Sequence, residues 1–136
     1  MLTITRRLTF AAAHRLYRPD WDDECNRAIF GQCANPGGHG HNYALEVTVG
    51  GDVDPETGMI VDLRWVKDIV ETFVVDHVDH RNLNTDVEFL RGVIPTAENL
   101  ARRFWERLVG PISERATLVR VRVVETENNA ATYELP

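Results

Sequence analysis

The chain has 136 residues, 43% of them apolar and 26% charged, with a formal net charge of −6. Those proportions fit one globular domain, residues 1–136, and exclude a disordered chain. The acidic balance leaves no basic footprint for nucleic acid, and no apolar run approaches the roughly 18 to 20 residues needed to cross a bilayer.

The first residues, Met1 to Arg7, lack the apolar core of a secretion signal and read as the start of a strand. The expected location is therefore the cytoplasm, with no membrane partner. Two cysteines, Cys25 and Cys33, are too few for a disulfide framework, and free thiols in a reducing compartment are expected.

In chain order, residues 2–13 predict a strand, with Leu2, Ile4, Leu8 and Phe10 alternating against polar neighbours and His14 at or just past its end. Residues 17–38 show no sustained period and read as a long loop, a feature that is usually functional. Residues 39–50 alternate again and predict a second strand. Asp52 to Gly58 is a turn, and residues 59–62 read as a short extended piece.

A helix is expected from Asp62 or Leu63 to about Asp76, because Leu63, Val66, Ile69, Val70 and Phe73 repeat at helical spacing and Asp62 can cap it. A second helix runs from about Ala97 to Leu108, capped by Thr96 and stopped by Gly110 and Pro111. Residues 116–125 predict a third strand, and Asn128-Asn129 turns the chain into a last one, Ala131–Leu135. The order β-β-α-α-β-β implies an α+β fold, an antiparallel sheet with two helices on one face. The other face must be polar or covered by a partner.

The most telling stretch is Cys33-Ala34-Asn35-Pro36-Gly37-Gly38-His39-Gly40-His41. Alternate residues of a strand share a face, so His39 and His41 form half of a metal site. If the first two strands pair antiparallel, the end of one meets the start of the next, and His14 joins them. Three histidines with an open position is the pattern of catalytic zinc. Cys33 is then a further ligand or a reactive thiol beside a cation, against its commonest fate as a small buried hydrophobe.

Asp76-His77-Val78-Asp79-His80 offers two Asp-His pairs, either of which can act as a proton shuttle or serve only to end a helix. Spacing alone does not choose between them. Glu125, at the end of the third strand, can grip adjacent N–H donors of a planar heterocycle, or is a solvated edge charge.

Taken together, these segments resemble the 6-pyruvoyl-tetrahydropterin synthase family. The match runs through Phe10 to Leu16, Phe30 to Tyr43, Asp54 to Met59, Asp79 to Leu83, Pro95 to Asn99 and Glu125 to Asn129, six motifs in the right order. The resemblance implies zinc on His14, His39 and His41, Cys33 as proton-abstracting base, and Asp79 with His80 as acid/base relay. It makes Glu125 the pterin anchor, often described as part of the relay, and places Thr96 and Glu98 near the pterin. Ala97 stands where the family commonly has a hydroxyl residue, which removes one pterin contact.

The implied fold is the tunnelling fold, in which sheets of three subunits close a barrel and two trimers stack as a homohexamer with active sites between subunits. The implied substrate is 7,8-dihydroneopterin triphosphate, with Mg²⁺ expected on the triphosphate. Arg15, Lys67 and Arg81 are the basic residues first in line to hold it. The rival is 6-carboxy-tetrahydropterin synthase of the queuosine pathway, which usually has three residues between Cys and His-Gly-His, where this chain has five, as in the pyruvoyl enzymes. A non-catalytic pterin or metal module has no need of a thiol and a relay.

Overall fold

A computed structural model describes residues 1–136. Strand β1 (Thr3–His14) pairs antiparallel with β2 (His39–Gly50) in unbroken register from Thr3 opposite Gly50 to His14 opposite His39. Both strands obey the alternation of their sequence, and the shared pleat carries the even residues of β1 inward. Strand β4 (Thr117–Thr126) lies on the far side of β2, and β5 (Asn129–Glu134) folds back on β4 as a hairpin.

A two-residue strand, β3 (Arg81–Asn82), adds to the outer edge of β1, giving the order β3-β1-β2-β4-β5. It runs parallel to β1, so the sheet is not wholly antiparallel as the sequence implied. No period-2 signal can mark so short a strand.

The helices cover one face. Helix α2 (Leu63–Val70) starts at Asp62, whose side chain accepts from the Arg64 N–H. It continues through a π turn (Glu71–Val75) into a last α-helical turn, α3 (Asp76–Val78). Helix α4 (Ala97–Ile112) starts at Thr96, whose hydroxyl accepts from the Asn99 N–H. It passes through the expected stop at Gly110 and Pro111. Burial of Ile112, 0% exposed, outweighs the one hydrogen bond that Pro111 cannot make in the last turn. Leu45, Val47, Val121 and Val123 of the sheet meet Val66, Val70, Leu100, Phe104 and Leu108 of the helices in one core.

Residues 17–38 are not all loop. Helix α1 (Asp23–Phe30) stands there, capped by Asp22 on the Cys25 N–H, and a 3₁₀ turn (Gly31–Ala34) follows. This helix carries no apolar stripe. Its buried residue is Asn26, whose amide accepts from the Arg18 N–H and donates to the Arg18 and Trp21 carbonyls. A polar clamp leaves no hydrophobic period to read. Residues 59–62 form no strand.

The uncovered face of the sheet is polar. Glu46 lies between Arg7 at 3.8 Å and Arg122 at 3.1 Å, and the Thr5 and Thr48 hydroxyls are 2.7 Å apart. This chain alone therefore leaves no broad apolar sheet face in water.

A candidate metal centre and active site

The β1–β2 register sets His14 opposite His39 and Ala12 opposite His41, so the three imidazoles converge on one side of the sheet. Close approach of the two strands here depends on Gly38. Its φ is +67°, and a Cβ on it would stand 2.9 Å from the His14 carbonyl oxygen. The three rings pack nearly edge-on, with centroids 4.6, 5.1 and 4.8 Å apart. One ligand nitrogen from each lies within 4.8 Å of the others.

The tautomer of His14 follows from its partners. Its Nδ1 lies 2.8 Å from the Pro95 carbonyl and 3.2 Å from the Tyr43 hydroxyl. A carbonyl only accepts, so Nδ1 carries the proton and Nε2 carries the lone pair. That Nε2 is 3.0 Å from His39 Nε2. The Nε2 of His41 is buried and has no hydrogen-bond partner.

Burial lowers the pKa of His14, an effect the Pro95 carbonyl opposes and the neighbouring His39 reinforces. Burial also lowers that of His41, opposed by the carboxylate of Glu125. Burial first, and Glu125 second, push the Tyr43 phenol upward, so it stays neutral. His14 and His41 are thus biased toward their neutral forms, and the Nε2 atoms of His14 and His39 face each other across the cluster. A borderline-soft divalent cation would satisfy all three nitrogens, including the orphaned one on His41, so the residues present fit such a group.

Glu125 comes to this cluster from the end of β4, its Oε1 3.7 Å from His41 Nε2. It also lines a cleft of about 680 Å³ with Thr96, Glu98, Leu16, Asn128 and Thr132. The carboxylates of Glu98 and Glu125 and the start of α4 thus share one cleft, beside the three histidines.

The two Asp-His pairs differ in their contacts. Asp79 Oδ1 is 3.0 Å from His80 Nδ1 and accepts from the Ala11 N–H at 3.0 Å. His80 has a φ of +60°, and its own N–H donates to the Ala11 carbonyl at 2.6 Å. Its side chain is 83% exposed. The ring of His77 instead donates to the Thr72 carbonyl and packs edge-on to Phe89. His80 lines a second cavity, of about 470 Å³, with His41, Ala11, Gly40, Asn42 and Arg81.

Cys33 sits in the 3₁₀ turn, half-buried, with its carbonyl accepting from the Leu16 N–H at 2.8 Å. Its sulfur is not part of the cluster of ligand atoms. Its backbone is anchored at Leu16, whereas that of His80 is anchored at Ala11.

Of the basic residues, Arg15 donates to the Ala34 carbonyl and lies over Tyr17, and Lys67 pairs with Glu71. Only Arg81 lines a cavity with a candidate residue. Two partners of His14 were missed in the sequence, the Pro95 carbonyl and the Tyr43 hydroxyl. Tyr43 continues the alternation of His39 and His41, which was a usable signal.

Fold and site define a class: an α+β enzyme domain with a three-histidine cluster beside a carboxylate-lined cleft. The model of the 6-pyruvoyl tetrahydropterin synthase family matches residues 3–136, and the chain belongs to that family. It is 43% identical over 133 residues to the 6-pyruvoyl tetrahydrobiopterin synthase of Homo sapiens, covering 96% of this chain and 90% of that one. It superposes on the Caenorhabditis elegans 6-pyruvoyl tetrahydropterin synthase with a TM-score of 0.86 at 39% identity, covering 99% of this chain and 96% of that one. The 6-carboxy-5,6,7,8-tetrahydropterin synthase of Rickettsia bellii is a more distant relative, 26% identical over 145 residues that cover 94% of this chain and 96% of that one.

Proposed function

We propose that this enzyme is a zinc-dependent 6-pyruvoyl-tetrahydropterin synthase, acting on 7,8-dihydroneopterin triphosphate in tetrahydrobiopterin biosynthesis. The observation that carries the reading is the buried, unpartnered Nε2 of His41, set between two further imidazoles and 3.7 Å from Glu125. A cation on one side and a pterin held on the other account for both neighbours.

In this reading His14, His39 and His41 hold the ion. When bound, zinc would supply Lewis-acid polarisation of the substrate's side-chain oxygens. Glu125 accepts hydrogen bonds from adjacent ring N–H groups, which fixes the pterin in the cleft with Thr96 and Glu98 beside it. Cys33, as thiolate, removes a proton from a side-chain carbon bearing a hydroxyl. His80, oriented by Asp79, returns a proton to the ring. The ring gains the electrons that the side chain loses, so no external oxidant or reductant is needed, and triphosphate leaves by elimination. Mg²⁺ accompanies the triphosphate, and Arg81 is the basic residue best placed for it.

Exposure of the His80 side chain supports a site completed by a second copy of the chain. A homohexamer of two stacked trimeric barrels, working in the cytoplasm, belongs to the same reading. The carboxy synthase activity is the second reading, favoured only by the 26% identical relative. Incubation with dihydroneopterin triphosphate and Mg²⁺, followed by identification of the C6 substituent, decides. A pyruvoyl product is expected. A carboxyl group at C6 means the second reading, and no release of triphosphate refutes both.

A further inference from the structure

We propose that Arg107 is a positioning residue for the Asp79–His80 pair, acting through the π turn that precedes it. The inference rests on the relay reading given above.

The π turn inserts one residue into the helix. The Asp76 N–H reaches back to the Glu71 carbonyl, five residues away, instead of four. The buried stripe records the insertion, running Val66, Val70, Val74 at intervals of four and then Val75 and Val78. One extra residue turns everything after it by about 100°. That turn delivers Asp79 to β1, where the Ala11 N–H donates to its carboxylate and the Ala11 carbonyl accepts from His80. In an uninterrupted α-helix the pair would leave about a quarter turn away and miss Ala11.

A π turn frees carbonyls that an α-helix would use, and these must find other donors. The Thr72 carbonyl accepts from His77, which is local and exposed. The Phe73 carbonyl accepts from Arg107 Nε at 3.0 Å, across from α4. The guanidinium of Arg107 also lies 4.7 Å from the Phe89 ring and 5.9 Å from that of Phe73. No carboxylate pairs with it. A half-buried cation whose polar partner is one helix carbonyl fits a part that holds the inserted turn open, rather than a general surface ion pair.

The test is a double-mutant cycle on turnover of dihydroneopterin triphosphate, using Arg107→Met and Arg107→Lys in the parent and in His80→Ala. In the parent, Arg107→Met is expected to lower kcat about 10- to 100-fold with little change in KM, as misplacement of a reacting group does. Arg107→Lys, which keeps a donor, should recover part of the loss. In the His80→Ala background neither change should lower kcat further, because the residue acts only through the relay. Equal losses in both backgrounds mean a merely structural role and overturn the inference, as does parental kcat in Arg107→Met. If Arg107→Met does not fold, Arg107→Lys carries the same comparison between backgrounds. Parental turnover in His80→Ala itself would instead remove the relay reading, and the inference with it.

Discussion

Nε2 of His41 lies 3.7 Å from Oε1 of Glu125, with no hydrogen-bond partner anywhere in the chain. A buried polar atom left unmade costs about 1 to 3 kcal/mol. Two more imidazoles lie alongside it, and burial lowers the pKa of two of the three. That is an environment prepared for a cation rather than for a proton. The purified protein is expected to hold close to one zinc per chain. His39→Ala and His41→Ala should each weaken zinc binding by about 100-fold or more, since even an outer-shell change costs roughly 10- to 100-fold. Metal analysis of folded variants checks this, and full zinc retention in both sinks the triad.

Gly38 should tolerate no side chain. Its φ of +67° disfavours any other residue, and an added Cβ would stand 2.9 Å from the His14 carbonyl oxygen. Gly38→Ala should cost about 1 to 3 kcal/mol in urea denaturation. It should weaken zinc binding too, because His39 follows directly. Gly37→Ala is the control: nothing lies within 4 Å of a Cβ there, and it should be nearly silent. Equal behaviour of the two variants would contradict the strand approach described above.

The histidine triad was legible because it depends on two strands whose alternation is strong and whose register follows from antiparallel pairing. Other parts depend on contacts that leave no periodic trace. Helix α1 is held by Asn26 on backbone groups, so no apolar stripe announces it. The π turn shifts the buried face from Val70 to Val74 and Val75, which the straight-helix spacing of Val66, Val70 and Phe73 does not foretell. The donor that fixes the His14 tautomer is answered by Pro95, 81 residues away and by its backbone rather than its side chain. Side-chain identity was readable; backbone partners brought together by the fold were not.

Acid should weaken the metal-free protein through these histidines. Burial depresses His14 and His41 below the ordinary value of 6.5. Below that value the unfolded chain binds protons that the folded chain refuses, so ν in the unfolded state exceeds ν in the native state. Stability therefore rises with pH across this window and falls as pH drops through about 6.5 toward the folded-state values. Denaturation midpoints of chelator-treated protein from about pH 7.5 to about 5.5 should decline, and His41→Gln should flatten part of the slope. A flat profile in the parent protein contradicts the burial argument.

The proposed chemistry needs both Cys33 and His80, and the His80 side chain is 83% exposed in one chain. Mixed assemblies offer a direct check. Cys33→Ala and His80→Ala should each be nearly inactive alone, but co-expressed they should regain measurable turnover, since some sites would then combine an intact Cys33 with an intact His80 from another copy. Absence of any recovery in verified mixed oligomers would place the whole site within one chain.

The two thiols should behave differently. Cys33 is fixed on the chain beside the histidines: its carbonyl accepts from the Leu16 N–H, and the next residue, Ala34, accepts from Arg15 Nε. Both anchors follow immediately after His14. Cys25 is exposed on the first turn of α1, where its N–H serves the Asp22 cap. Cys33→Ala should therefore keep zinc and assembly but lose on the order of 10²- to 10⁴-fold in turnover, the usual cost of removing a positioned base. Cys25→Ala should change turnover less than about twofold and leave stability within roughly 0.5 kcal/mol, as exposed substitutions do. Zinc content separates the alternatives for Cys33. Loss of the metal in Cys33→Ala would make the thiol a ligand, against its position outside the three-histidine cluster. Near-parental turnover with zinc retained would move the base to another group, with His80 and its Asp79 partner the first to examine.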